Sequence, residues 1–319
     1  MIGGARDHGG GLDAAAARHG GARADWLDLS TGINPVPYPV ADVLACLAPD
    51  AWTALPDGAA QDALTEAARA HWLVPRGAAL LAAPGASALI ARIPALCPPG
   101  RVVIPGPTYN EHAAAFAAQG WHVAQQGTGG ARVAVNPNNP DGRTWRAEEL
   151  TGTGAALTVI DESFCDISPE ASLIALADRP GVIVLKSFGK FWGLAGLRLG
   201  FAIGDPALLA RLAESLGPWP VSGPALAIGA AALRDATWAD RTRERLRIDA
   251  ARLDAIMAAA GTGPGRGTRL FRLYDTDDAA AWQKRLAGRR IWSRVFPYSP
   301  RWLRLGMPGP DGWTRLEGL

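Results

Sequence analysis

A chain of 319 residues with 48% hydrophobic and 19% charged residues has the make-up of a folded globular protein, with room for one large domain and a smaller one. Its formal net charge of +2 and scattered arginines exclude a nucleic-acid-binding stripe; even the run Arg241, Arg243, Arg245 and Arg247 is interrupted by Glu244 and reads as a solvated helix face. Cys46, Cys97 and Cys165 have no metal-binding or redox spacing, no uncharged apolar span reaches membrane length, and the glycine-rich start lacks the apolar core of a signal peptide, so the expectation is a cytoplasmic protein with no metal site and no membrane partner.

Taken in chain order, a helical pattern over residues 86–96 precedes a buried-strand run at 101–104. A helix over 110–119 follows, then strand runs at 132–135 and 157–160, a helix over 171–177, and strand runs at 182–185 and 199–203. Short apolar runs alternating with helices predict an α/β fold, with a mostly parallel sheet covered by helices on both faces. Residues 217–224, rich in glycine and proline, read as a hinge. Beyond it a long helix over 225–260 is predicted, then strands at 269–274, 290–296 and 301–306 around a helix at 279–287. The expected organisation is a large α/β domain over 35–220 and a smaller α+β domain over 221–319. The amino-terminal residues 1–34 are expected to pack against the smaller domain.

In parallel sheets, ligands gather at the carboxyl ends of the strands, and the chemically informative residues fall there. Ser187-Phe188-Gly189-Lys190 follows one strand, and Gly196-Leu197-Arg198-Leu199-Gly200 precedes the next. The chain carries thirty-two Lys plus Arg, yet only Lys186, Lys190 and Lys284 are lysines. A lysine amine can be tuned into a nucleophile, whereas a guanidinium stays protonated. An amine, a hydroxyl and a guanidinium brought to one point make a covalent anchor for an aldehyde that bears a phosphate, and pyridoxal 5′-phosphate is such a ligand. Flanking glycines favour Lys190 over Lys186 as that amine.

Other strand ends complete the set. Pro84-Gly85-Ala86-Ser87 opens a helix, whose backbone N–H groups at Gly85, Ala86 and Ser87 suit a phosphate. Ser187 and Arg198 would complete the phosphate cup. Tyr109 is placed to stack on the ring. Asn139, in Asn136-Pro137-Asn138-Asn139-Pro140-Asp141-Gly142, suits the phenolate oxygen, and Asp161 suits the ring nitrogen, which it would keep protonated.

These motifs, in this order, together with Asp161-Glu162-Ser163-Phe164, resemble those of the fold-type I, aspartate-aminotransferase-like pyridoxal-phosphate enzymes, which include the histidinol-phosphate aminotransferases. Three further features are similar to the threonine-phosphate decarboxylases of cobalamin biosynthesis: His8-Gly9-Gly10, Asp28-Leu29-Ser30-Thr31-Gly32-Ile33-Asn34-Pro35, and Trp302-Leu303-Arg304-Leu305-Gly306. The resemblance implies a PLP-dependent transferase-like fold, a homodimer, and decarboxylation of L-threonine O-3-phosphate. Arg304 is implied for the substrate α-carboxylate, with His8, Asn34 and Arg294 as further substrate ligands. Phe164 stands where many aminotransferases carry a tyrosine, and Leu55 stands where a cross-subunit tyrosine is usual.

Three rival readings remain. Ser187-x-x-Lys190 matches the signature of penicillin-binding serine enzymes, but the chain has no Lys-Thr-Gly and no helix start at the serine. A non-catalytic cofactor-binding scaffold has no need of Asp161. An aminotransferase shares every cofactor residue with a decarboxylase and differs only in how the substrate carboxylate is placed.

Overall fold

A computed structural model of the chain describes residues 7–319, so the first six residues of the glycine-rich amino terminus lie outside it. Two compact units result. The larger comprises Pro37–Asn139 and Arg143–Asp240; the smaller comprises the described residues up to Val36, Pro140–Gly142 and Arg241–Leu319.

The larger unit is built on a seven-stranded sheet in the spatial order Ala79–Ala83, Gly200–Gly204, Val182–Ser187, Leu157–Asp161, Ala131–Val135, Arg101–Val103, His122–Ala124. Only Gly200–Gly204 runs antiparallel to its neighbours. The central strands are apolar on both faces, as a sheet covered by helices on both sides requires. Every residue of Leu157–Asp161 is buried, the carboxylate at its end included. Against the sheet lie helices Ala86–Arg92, Asn110–Ala118 and Pro206–Leu216, whose apolar sides join one buried cluster with Val102, Val133, Val159 and Leu185.

The four strands expected at 101–104, 132–135, 157–160 and 182–185 are present within one or two residues. Two edge strands were not anticipated. Ala79–Ala83 reads Ala-Leu-Leu-Ala-Ala, a helix-favouring composition, and becomes a strand by pairing with Gly200–Gly204 along its whole length. The helix expected over 171–177 is replaced by two short 3₁₀ turns, Pro169–Ala171 and Ile174–Asp178. Between them, the buried Glu162 carboxylate takes the Leu173 N–H (2.5 Å) and the Ser172 hydroxyl (2.6 Å), donors a continuous helix could not offer it.

The long helix expected over 225–260 is broken at Asp235 into Gly223–Arg234 and Ala236–Ala259, with the Asp235 carboxylate accepting the Trp238 N–H at 2.9 Å. Residues 217–224 lie inside the larger unit, and the division comes at Asp240 and Arg241 instead. The reason is packing. Gly229 lets its helix lie against Leu64 and Leu199, where an added Cβ would come within 2.5 Å of Leu199 Cδ2.

In the smaller unit an antiparallel sheet runs Arg294–Phe296, Ser299–Gly306, Phe271–Asp275, Arg266–Thr268. The amino-terminal strand Leu27–Asp28 pairs in parallel with Ile291–Trp292, tying that segment to this unit. Helix Ala279–Ala287 lies where expected, capped by the Asp278 carboxylate on the N–H groups of Ala280 and Ala281. Among the described residues, no helix is long and apolar enough to cross a membrane.

Candidate active site

In the larger unit a cleft of about 660 Å³, counting its open mouth, is lined by Ala86, Ser87, Tyr109, Asn139, Asp161, Ser187, Lys190 and Arg198, with Ile90, Val135, Ser163, Phe164, Gly189 and Ala195 between them. These eight polar or helix-start residues come from five separate strand ends, and the parallel topology delivers them to one edge of the sheet. Of the cofactor residues read from sequence, only Gly85 is not among the lining side chains. It acts as backbone: at φ 85° it opens helix Ala86–Arg92, and an added Cβ would come 2.6 Å from Arg198 Nη2. A glycine is therefore required for the guanidinium to approach the helix start. Arg198 itself holds a left-handed backbone (φ 55°), a conformation costing a non-glycine residue roughly 1–2 kcal/mol.

Asp161 is 2% exposed. Its Oδ1 accepts the Ser163 N–H at 2.9 Å and the Ser163 hydroxyl at 2.5 Å, and its Oδ2 lies 2.8 Å from His112 Nε2. Burial alone would raise its pKa. The hydrogen bond and charge of His112 and the two Ser163 donors outweigh burial and hold the carboxyl below the usual carboxylate range. Since an ionised carboxylate only accepts, His112 carries its proton on Nε2. His112 and Ser163 were not foreseen; the available signal was that His112 falls one helical turn after Tyr109.

The two central lysines have opposite environments. Lys190 lines the cleft, half-buried, with its ammonium 5.3 Å from the centre of the Phe164 ring. Lys186, two per cent exposed, is 2.7 Å from Glu162 Oε2 and 3.7 Å from Asp166 Oδ1. Desolvation works against its charge, but the two carboxylates prevail and push its pKa up. Lys186 is thus locked as a cation. Lys284 is exposed on helix Ala279–Ala287.

The turn carrying Asn139 is held by its neighbours. Asn138 Oδ1 accepts the Thr108 hydroxyl at 2.5 Å, Asn138 Nδ2 donates to Pro107 O, and Asn136 Oδ1 accepts the Trp145 N–H.

In the smaller unit the three remaining motifs meet one another. Gly9 lies so close to the backbone of Ser30 that a Cβ would sit 2.4 Å from its carbonyl oxygen, and Gly306 approaches Thr31 O more closely still, at 2.1 Å for an added Cβ. Ser30 Oγ accepts the Gly10 N–H at 2.6 Å, and Arg304 Nη2 donates to Ser30 O at 2.6 Å. Arg294 and Arg304 are directly opposite each other on adjacent antiparallel strands. Arg304 is 5% exposed, and its pKa is pushed down to about 10, first by burial and then by the like charge of Arg294. Arg294 donates to Asp7 Oδ2 at 2.7 Å. Asn34 is buried, its Oδ1 accepting from Arg245 Nη2 at 2.6 Å and from the Val36 N–H. His8 is exposed, on the segment that Gly9 and Gly10 tie to Ser30.

Residues 132–312 match the family model for aminotransferases of class I and II. The chain is 42% identical to a threonine-phosphate decarboxylase of Sinorhizobium sp. over 97% of its own length and 96% of that protein. It is 40% identical to the threonine-phosphate decarboxylase of Pseudomonas aeruginosa, over 98% of this chain and 96% of the other. In fold it is similar to the histidinol-phosphate aminotransferase of Sinorhizobium meliloti in complex with pyridoxal-5′-phosphate, with a TM-score of 0.83 at 21% identity over 96% of this chain and 92% of that one. With its sheet, its lysine loop and near-complete coverage of these relatives, the chain belongs to the class I and II aminotransferase family and, within it, to the threonine-phosphate decarboxylases.

Proposed function

We propose that the protein is a pyridoxal 5′-phosphate-dependent lyase that decarboxylates L-threonine O-3-phosphate to (R)-1-amino-2-propanol O-2-phosphate, a cytoplasmic step of cobalamin biosynthesis. The donor set of the cleft fits the cofactor. Gly85 leaves its place open to the Arg198 guanidinium beside a helix start, and Ser87 and Ser187 line the same cleft, which suits a phosphate. Asp161, kept ionised in a buried setting, suits a protonated ring nitrogen; Tyr109 supplies a ring face, Asn139 a donor for the phenolate oxygen, and Lys190 the anchoring amine. When bound, the cofactor acts as an electron sink for the pair left on the substrate α-carbon as a bond to that carbon breaks.

The chain's own residues do the rest. Asp161 holds positive charge at the ring nitrogen. Lys190 Nζ, which lines the cleft, would hold the proton delivered to the α-carbon after carbon dioxide leaves.

The observation that carries the substrate assignment is the facing pair Arg294 and Arg304. Two like charges directly opposite on a sheet destabilise it, and one of these is nearly fully buried. Asp7, 2.7 Å from Arg294, offsets part of that cost, and a ligand with two anionic ends would relieve the rest, its phosphate taking the place of Asp7 on Arg294. Arg304 is assigned to the α-carboxylate and Arg294, with His8, to the substrate phosphate, while Asn34, held by Arg245, positions the neighbouring backbone. Arg294→Ala is expected to raise KM for L-threonine O-3-phosphate roughly 10- to 100-fold, the worth of one charge-assisted hydrogen-bonded contact, and to leave the cofactor's absorption spectrum unchanged. Trapped carbon dioxide and product analysis provide the functional test. Amino transfer from histidinol phosphate to a keto acid without carbon dioxide release would decide for the aminotransferase alternative.

We further assign the active form as a homodimer. Trp52, Leu55 and Trp219 are each more than half exposed on the larger unit, apolar area that a second copy would cover. Sedimentation equilibrium is expected to give twice the chain mass at assay concentration; an active monomer there would refute the assignment.

A further inference from the structure

Behind the cleft lies a cluster of buried polar side chains that the proposed chemistry does not use. Glu162, 1% exposed, accepts four donors: Lys186 Nζ (2.7 Å) and the Ser172 hydroxyl (2.6 Å) on Oε2, the Leu173 N–H (2.5 Å) and Asn136 Nδ2 (3.3 Å) on Oε1. Asp166, 5% exposed, accepts the indole N–H of Trp72 on Oδ1 at 2.9 Å and that of Trp192 on Oδ2 at 2.8 Å. All four carboxylate oxygens accept, and the Lys186 ammonium lies between the two acids, 2.7 Å from Glu162 and 3.7 Å from Asp166.

Burying three charges costs more than a well-packed apolar cluster of the same size. Stability alone therefore does not account for the arrangement, and its connections indicate what it does. Asn136 opens the turn that carries Asn139. Glu162 follows Asp161 directly. Lys186 stands four residues before Lys190, and Trp192 two residues after it. The loop bearing Lys190 is thus pinned on both sides to one acid pair, which sits on the segment that also carries Asp161 and Phe164. Trp192 is fully buried and stacked between Phe188 and Trp238, so its indole N–H has little freedom to find another partner.

We propose that Glu162 and Asp166, through Lys186 and Trp192, are positioning residues that hold the Lys190 amine in register with Asp161 and Asn139 for bond formation to the cofactor aldehyde. This rests on Lys190 being the anchoring amine. In that step the Lys190 nitrogen bonds the aldehyde carbon and the aldehyde oxygen leaves as water. The amine form of the cofactor, pyridoxamine 5′-phosphate, uses the same phosphate cup and ring contacts without that bond.

The test compares the binding of the two forms by Glu162→Gln, Trp192→Phe and Lys190→Ala proteins, using absorbance for the aldehyde form and ligand fluorescence for the amine form. Trp192→Phe keeps an aromatic ring in the stack and removes only the N–H, which safeguards the test if Glu162→Gln does not fold. The expected result for Glu162→Gln or Trp192→Phe is affinity for pyridoxal 5′-phosphate lowered at least tenfold, with affinity for pyridoxamine 5′-phosphate changed less than threefold. Equal weakening of both forms would show a merely structural cluster and overturn the proposal, as would unchanged affinity for both. If Lys190→Ala also binds the two forms as the unmodified protein does, the anchor assignment itself falls. If only Lys190→Ala discriminates between them, the anchor stands and the positioning role falls.

Discussion

Lys190→Ala is expected to yield a protein that never develops the visible absorption band of the holoenzyme and whose turnover is lower by at least about 10⁴-fold, the upper end of what a positioned proton-transfer group contributes. The size of the effect follows from the absence of a substitute. The chain has three lysines. Lys186 is buried 2.7 Å from Glu162 and held charged, so it is neither nucleophilic nor able to swing toward the cleft without stranding two carboxylates. Lys284 is exposed on a helix of the smaller unit. Folding should be little affected, because Lys190 is only half-buried and its loop is held by Phe188, Phe191 and Trp192, all fully buried. Absorbance, borohydride reduction followed by mass spectrometry, and steady-state turnover check this together. A yellow, borohydride-reducible Lys190→Ala protein would sink the assignment.

Asp161→Ala is expected to retain cofactor, since the phosphate cup is intact, but to lower kcat by roughly 10²–10³, as removal of one preorganised electrostatic partner does elsewhere. It should also lose stability, because His112 Nε2 and the Ser163 donors lose a buried acceptor, at a cost of about 1–3 kcal/mol. Asp161→Asn separates the two effects: it keeps the side-chain volume and one acceptor and removes the charge, so kcat should fall nearly as far with a smaller change in Tm. The pH dependence has a definite sign. The folded-state pKa of Asp161 lies below its unfolded value, so its contribution to stability is fully present above about pH 4 and is lost as pH falls further. Stopped-flow turnover alongside thermal melts tests both parts. Near-normal turnover in either variant would reduce Asp161 to a loop cap.

That Asn139, Asp161, Ser187 and Lys190 would share one cleft was legible before any coordinates, because each follows a strand whose apolar run is hard to mistake. Asn139, Asp161, Ser187 and Lys190 stand just beyond residues 132–135, 157–160 and 182–185, and a parallel sheet collects such strand ends by construction. Gly85 and Arg198 were recoverable for a different reason. One is a turn glycine before a helix, the other a lone arginine among glycines, and the structure gives both a single cause in the close approach of that guanidinium to the helix start. Local pattern also sufficed for helix Ala279–Ala287, which carries its own cap.

What local pattern misjudged was decided by contacts distant in sequence. Residues 79–83 favour a helix and became a strand because a partner strand satisfied their backbone. Residues 171–177 lost their helix to a carboxylate nine or more residues earlier. Lys186 and Lys190 differ by four positions and have similar flanks, yet one is an ion-paired core residue and the other lines the cleft, because a strand carries Lys186 into the interior beside Glu162 while the loop after it turns Lys190 outward. The sequence by itself determined which residue types stand at the strand ends, and hence the class of cofactor chemistry. Only the tertiary structure decided that Arg294 and Arg304 face each other across two strands, that His112 backs Asp161, and that Glu162 and Asp166 hold both sides of the lysine loop. Those are pairings between residues 10 to 49 positions apart, and their energy comes from burial and register, neither of which a linear pattern contains.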